Sequence, residues 1–313
     1  MSSFSGMVMK TTGSWHWVRT AGGDFIACKL KGNFRMRGIR TTNPVAVGDL
    51  VEGFQNQGEK TGFITVLHPR RNYIIRKATK LSSEAHILAA NVDQAFLMVT
   101  MTSPVTHSMF ADRFLVSAEA YRVPVSLLFN KMDLYGERQL DELAVWLDAY
   151  EIAGYPCHLI SLLDQEAILR MAELLKGKTT VLAGNSGVGK TTLINSLVPD
   201  LKLRTAQISD YHKTGRHTTT FPEMVELPGG GMVIDTPGIR GFGVIDIDKN
   251  ELYHFFPEIF TRSATCQFHN CTHTHEPGCA VKKATESGEI SGMRYENYLS
   301  MMESGGHKYR QGY

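Results

Sequence analysis

The stretch GNSGVGKTT, Gly184 to Thr192, constrains this chain more than any other. It follows the apolar run TTVLAG and leads into KTTLINSLV, whose pattern predicts a helix. A glycine-rich turn between a buried strand and a helix N-terminus lets main-chain N–H groups wrap an anion. Gly184, Asn185, Ser186, Gly187, Val188 and Gly189 form the expected phosphate cradle. Lys190 is the cation expected to reach the terminal phosphates, Thr191 the magnesium ligand, and Thr192 a second hydroxyl beside it. A glycine turn without a nucleotide is the competing reading, and the strand-turn-helix setting weighs against it.

The surrounding chain alternates apolar runs with helical patterns. QAFLMVTM, VPVSLLFN and CHLISL read as strands; HSMFADRFLVSAEAYR, ERQLDELAVWLDAYEIAG and DQEAILRMAELLKG read as helices. That alternation predicts a doubly wound parallel sheet with its ligand site at the carboxyl ends of the strands. At one such end stands FNKMDL. Asp133 can accept hydrogen bonds from the ring N–H and exocyclic amine of guanine, Asn130 can bond the opposite edge, and Lys131 can pack over the base or brace the phosphate loop. Adenine would leave these groups unpaired, so rejection can be strong. After the next strand, SLLDQ offers the N–H groups of Ser161 and Leu162 to the guanine oxygen.

A second magnesium-side element is MVIDTPGIRGF, an apolar strand ending in Asp235, with Gly238 placed to offer an N–H to a γ-phosphate. Between it and the phosphate loop, TGRHTTTFPEM carries Thr218, Thr219 and Thr220 in a polar segment. One of these can bind magnesium and γ-phosphate together and so order the loop in the triphosphate state. Thr219 is the preferred residue and Thr218 the next. In Ras-like chains the base-reading motif follows the phosphate loop, whereas here it precedes it. A domain whose termini lie close together can be permuted without moving its site, so the order reads as a circular permutation.

Ahead of this region, short strands broken by glycine (GMVMKTTGSWHWVRT, DFIACKLKG, DLVEGF, TGFITVLH) predict a small closed β-barrel, of OB or SH3-like type. Two basic clusters accompany it: Arg35, Arg37 and Arg40, then Arg70, Arg71, Arg76, Lys77 and Lys80. They read either as RNA-phosphate contacts or as solvated loop charge. The net charge is only +2, so any nucleic-acid contact must rest on such local patches.

Behind it, CQFHNCTHTHEPGC crowds Cys266, Cys271 and Cys279 among histidines. In a reducing compartment this favours one structural zinc over disulfides, with a closed Cys₃His shell in which His269, His273 and His275 compete for the imidazole position. Cys28 and Cys157 lie in apolar strand-like runs and read as packing residues. The opening residues show no basic head followed by a long apolar run, and no apolar stretch is long enough for a membrane span. The expectation is a cytoplasmic monomer with no membrane partner. Three units follow: an RNA-binding barrel at 1–82, a permuted GTPase at 83–250 and a small α-helical zinc-binding unit at 251–313.

The Asn-Lys-x-Asp, phosphate-loop, threonine and Asp-x-Pro-Gly order, with a barrel in front and the Cys/His block behind, resembles the RsgA (YjeQ) family of circularly permuted GTPases. The resemblance implies an OB-fold, a permuted P-loop GTPase and a zinc domain. It also implies a function in late maturation of the small ribosomal subunit, with the subunit and its rRNA as partners and hydrolysis of GTP to GDP stimulated by the subunit. His273 matches the family's imidazole ligand. Ile239 stands where Ras-like enzymes carry a water-orienting glutamine, and the resemblance offers His217 as the replacement, against the plainer reading of a solvent-exposed histidine. Two rival readings are a permuted GTPase of another pathway, acting on the large subunit or a metal cofactor, and a non-enzymatic RNA-binding scaffold.

Overall fold

The structure, a computed structural model, describes residues 1–31, 44–77, 85–201, 222–236 and 247–304. It begins with five strands: β1 (Ser2–Thr12), β2 (Trp15–Thr20), β3 (Phe25–Leu30), β4 (Leu50–Gln55) and β5 (Thr61–Leu67). Strand β1 pairs with both β2 and β4, while β5 joins β3 in parallel and β4 in antiparallel. The five therefore close into an OB-like barrel, which leaves no free edge. Period-two alternation turns Val8, Val18, Cys28, Val51 and Ile64 inward. A bulge between Val8 and Lys10 bends β1, and the far end of the strand continues out of the barrel.

The next two strands, β6 (Tyr73–Lys77) and β7 (Ala85–Ala90), form an antiparallel hairpin, with Arg70 and Arg71 of the second basic cluster just ahead of it. That cluster is corrected in part. Arg70 is neither a phosphate contact nor solvated charge: its guanidinium is buried and meets Asp49 in two 2.7 Å bonds, with a third to the Pro44 carbonyl. Such a fork-to-fork pair fixes orientation as well as charge. Arg71 is more exposed and pairs with Asp93 at 2.7 Å. Asn72 and Asn91 complete the seam through main-chain bonds to Val92, Arg122 and Gly48. Arg35, Arg37, Arg40 and Lys80 lie outside the described residues, as do the side chains of Arg76 and Lys77.

Then comes the alternating region: β8 (Gln94–Val99), α1 (Ser108–Ala120), β9 (Val125–Phe129), α2 (Glu137–Ile152), β10 (Cys157–Leu159), α3 (Gln165–Leu175), β11 (Thr179–Gly184) and α4 (Lys190–Leu197). It closes with β12 (Glu223–Glu226) and β13 (Met232–Asp235). The strand order is β10-β9-β8-β11-β13-β12, parallel except for β12. Continuous apolar runs suit strands covered on both faces. On one face Leu97, Leu127, Phe129 and Val181 meet Phe114, Leu115 and Trp146 of α1 and α2. On the other, Phe96, Met98, Leu182 and Val233 meet Met171 and Leu175 of α3 and Leu193 and Ile194 of α4. The sheet is thus doubly wound, and its parallel strands all end at one edge. β12 also touches β1 through Lys10 and Glu223, so barrel and sheet are joined edge to edge.

The C-terminal part is a 3₁₀ turn (Lys249–Phe255) followed by α5 (Pro257–Ser263), α6 (Ala280–Glu286) and α7 (Gly292–Ser304). Its core, Leu252, Phe256, Ile259, Val281, Ile290 and Tyr298, includes Val116 of α1. Beside it Arg294, 1 % exposed, meets the carboxylates of Asp112 on α1 and Glu258 on α5, while Asn297 donates to Asp112 at 2.7 Å. A buried ionic hub therefore fastens this part to the GTPase-type sheet. Among the described residues no helix is long and apolar enough to cross a membrane.

Candidate nucleotide site and Cys/His centre

The phosphate loop leaves β11 at Gly184 (φ 141°) and enters α4 through Gly189 (φ 111°). Side chains cannot take these places: a Cβ on Gly184 would lie 2.5 Å from the Met98 carbonyl oxygen, and one on Gly189 would lie 2.4 Å from Asn130 Nδ2. Val188 is buried in the core and anchors the loop, while Ser186 and Gly187 are exposed and Asn185 is partly so. Thr191 is half-buried and Thr192 exposed on the first turn of α4.

Lys190 is buried, and its Nζ donates to the carbonyls of Gly184 (2.8 Å) and Asn185 (2.9 Å). Burial lowers its pKa to about 8 against the pull of Asp235. Asp235 ends β13 opposite Leu182 of β11, and burial raises its carboxyl against the opposing effect of Lys190. A cation and a carboxylate therefore share a poorly hydrated corner beneath the loop. Thr236 is tied down through its hydroxyl to the Leu182 carbonyl at 2.7 Å.

The base-reading motif sits at the end of β9, next to this loop. Asn130 is 2 % exposed, and its Nδ2 donates to the Val188 carbonyl at 2.7 Å, so the amide ties the two motifs together. Lys131 takes a left-handed conformation (φ 67°) and donates to the Ser103 carbonyl; burial lowers its pKa against the influence of Asp133. Asp133 is exposed and accepts from the Ser161 hydroxyl. The Ser161 hydroxyl thus orients the carboxylate. The loop at 160–163 is held by Met132 N–H donating to the Ile160 carbonyl at 3.2 Å. His217, Thr218, Thr219 and Gly238 lie outside the described residues.

Sequence reasoning missed the segment 101–107 after β8, which carries no motif. It is pinched at its base by Thr106 Oγ1 accepting from Thr100 N–H at 3.1 Å, and a Cβ added at Gly187 would reach to 3.6 Å from Pro104 Cδ.

The Cys/His centre gathers one of the three histidines with the three cysteines. Nδ1 of His273 lies 3.6 Å from both Cys266 Sγ and Cys279 Sγ, and with Cys271 the four ligand atoms lie within 4.8 Å of one another. A tetrahedral zinc with ordinary bond lengths separates sulfur from nitrogen by about 3.6 Å, so the donor set fits that ion. His269 and His275 are exposed and outside the cluster. Around it, Glu276 accepts from Thr272 N–H (2.7 Å), Thr272 Oγ1 (2.6 Å), Thr274 N–H and His275 N–H. Burial pushes that carboxyl upward, and the hydrogen bonds overcome it and bring it down to about 2. Tyr295 and Tyr298 donate to the carbonyls of His273 and Thr272 at 2.6 and 2.7 Å. Cys28 is buried and Cys157 half-buried, and burial pushes their thiols up to about 11 and about 12, as suits packing residues.

A phosphate loop bonded to an Asn-Lys-x-Asp motif that precedes it in the chain, on a doubly wound sheet with a barrel ahead and a Cys₃His cluster behind, defines a circularly permuted P-loop GTPase. The chain belongs to the RsgA GTPase family, whose model matches residues 67–245, while the RsgA N-terminal domain matches residues 5–64. It is 55% identical to the small ribosomal subunit biogenesis GTPase RsgA of Bacteroides fragilis (strain YCH46), over 98% of this chain and 99% of that one. Among solved structures it is similar to YjeQ from Thermotoga maritima (TM-score 0.78, 34% identity, 98% of this chain and 100% of the other). It is also similar to YloQ, described as a circularly permuted GTPase (TM-score 0.72, 30% identity, 98% of each chain).

Proposed function

We propose that this chain hydrolyses GTP to GDP and phosphate at the edge formed by β8, β9, β11 and β13, and that it acts in late maturation of the small ribosomal subunit, which stimulates turnover. The observation that carries the reading is the bond from Asn130 to the Val188 carbonyl: it binds the guanine motif to the phosphate loop despite their reversed order in the chain. Asp133, oriented by Ser161, reads the ring N–H and amine of guanine. Lys190 exchanges its two carbonyl partners for phosphate oxygens, a charge-assisted gain. The N–H groups at 185–189 cradle the phosphates; Thr191 and Asp235 would hold a magnesium ion, which would supply charge neutralisation, with Thr192 beside them on the first turn of α4. Gly238 contacts the γ-phosphate, Thr219 (with Thr218 as alternate) orders the switch, and His217 positions or deprotonates the attacking water.

The ribosomal part rests on family membership and on the curated relative's name. The barrel offers an RNA partner the charges of Lys29 and Lys31, both exposed beside Trp15 and Phe54 and able to meet phosphate. Zinc at Cys266, Cys271, His273 and Cys279 closes the C-terminal unit structurally. The chain works as a cytoplasmic monomer of three units, with divisions at 82 and 250. The test is GTP hydrolysis with and without purified small subunits. Large-subunit stimulation alone would favour another assembly pathway, and absence of phosphate release would favour a scaffold.

A further inference from the structure

We propose that Tyr135 is a positioning residue for guanine recognition, acting through a hydroxyl that joins the base-reading loop to the segment 101–107. The hydroxyl donates to the Asn130 carbonyl at 2.8 Å and accepts from the Met101 N–H at 2.9 Å. The Asn130 N–H is itself bonded to the Val99 carbonyl at 3.0 Å, so with Tyr135 both main-chain groups of Asn130 are held. This matters because the next residue, Lys131, has a left-handed backbone that an ordinary side chain adopts only when its surroundings enforce it. That turn is what directs Asp133 toward Ser161 and leaves Asn130 facing Val188.

The partner segment is firm enough to serve as an anchor. Met101 is buried, Thr100 and Thr106 are bonded across the base of the loop, and Lys131 donates to the Ser103 carbonyl. Tyr135 therefore ties the base-reading motif to 101–107, while Asn130 ties the same motif to the phosphate loop. Phenylalanine would fill the same volume but leave the buried Met101 N–H and the Asn130 carbonyl without this partner.

The inference rests on the guanine-site reading above, and the test separates the two. Tyr135→Phe is compared with the unaltered full chain for GTP turnover with small subunits present, and for binding of GDP, IDP and ADP. The expected result is a KM for GTP and a dissociation constant for GDP raised about five- to tenfold, the ordinary effect of losing one such bond. Turnover at saturating GTP stays within about twofold, because the phosphate-side groups are untouched. The preference for GDP over IDP narrows, since the Asn130–Lys131 turn that sets where Asp133 meets the exocyclic amine loses one of its ties. A variant that melts earlier yet keeps the wild-type KM and GDP-to-IDP preference would overturn the assignment of Tyr135 and reduce it to packing. An unaltered protein that binds ADP as well as GDP would instead overturn the guanine site itself.

Discussion

Replacing Arg294 with methionine tests whether the ionic hub holds the C-terminal unit to the sheet. Arg294 is 1 % exposed, and its partners Asp112 and Glu258 are buried with it. Its guanidinium also lies 4.9 Å from the Phe256 ring centre and 5.3 and 5.4 Å from those of Tyr150 and Tyr155. Methionine keeps much of the aliphatic contact with the rings but leaves two carboxylates in a dry site, where Asn297 stays bonded to Asp112. Breaking a buried pair from one side costs about 3–5 kcal/mol, because the stranded charge is not rehydrated. At roughly 2–4 °C per kcal/mol, the calorimetric transition containing α1 and α7 should fall by about 6–20 °C. The deficit should also depend on pH. Burial already pushes the Asp112 carboxyl upward against Arg294, and removing the arginine takes away the largest opposing influence, leaving the weaker one of the Asn297 bond. A group whose folded pKa is raised keeps its contribution at low pH and loses it as pH rises, so the variant should be closer to wild type at pH 5 than at pH 8. Asp112→Asn with Glu258→Gln in the Arg294→Met background should recover at least half of the loss. A deficit below about 1 kcal/mol at pH 8, or an equal deficit at both pH values, would refute the account.

Three further outcomes are expected. His16 is buried in the barrel with neither ring nitrogen bonded, and burial lowers its pKa to about 4; stability should be full above its ordinary value of 6.5 and fall by about 3 kcal/mol as pH drops through 4, a slope that His16→Leu should flatten in urea titrations. Cys279→Ser should lower the metal content measured by colorimetric release and make 247–304 sensitive to protease, whereas a chelated wild-type protein as resistant as the loaded one would contradict a structural zinc. His217→Ala should reduce single-turnover hydrolysis by roughly 10²-fold or more with subunits present while GTP affinity stays nearly constant; an unchanged rate removes His217 from the mechanism.

The sheet and its site elements were readable because each depends on short stretches of chain. A phosphate loop needs glycines at fixed offsets between a strand and a helix, a buried parallel strand needs an unbroken apolar run, and a zinc cluster needs thiolates and imidazole in close sequence. The Cys/His segment illustrates the boundary: its composition announced a metal and left three histidines open, the resemblance pointed to His273, and the fold sets that residue's Nδ1 3.6 Å from two sulfurs.

By itself, then, the sequence determined the barrel, the permuted order of motifs and the chemistry each motif can perform, since these follow from local spacing and side-chain type. Tertiary structure alone decided what unites them. Arg70 reads as one of several surface cations and is in fact buried against Asp49. Tyr135 follows a familiar motif without belonging to it, and its hydroxyl closes a loop formed with Met101. Arg294 meets Asp112 across 182 positions of chain. No local pattern encodes such partners, because burial and charge pairing are properties of where segments meet after folding, and a lone arginine or tyrosine looks the same in sequence whichever partner it finds.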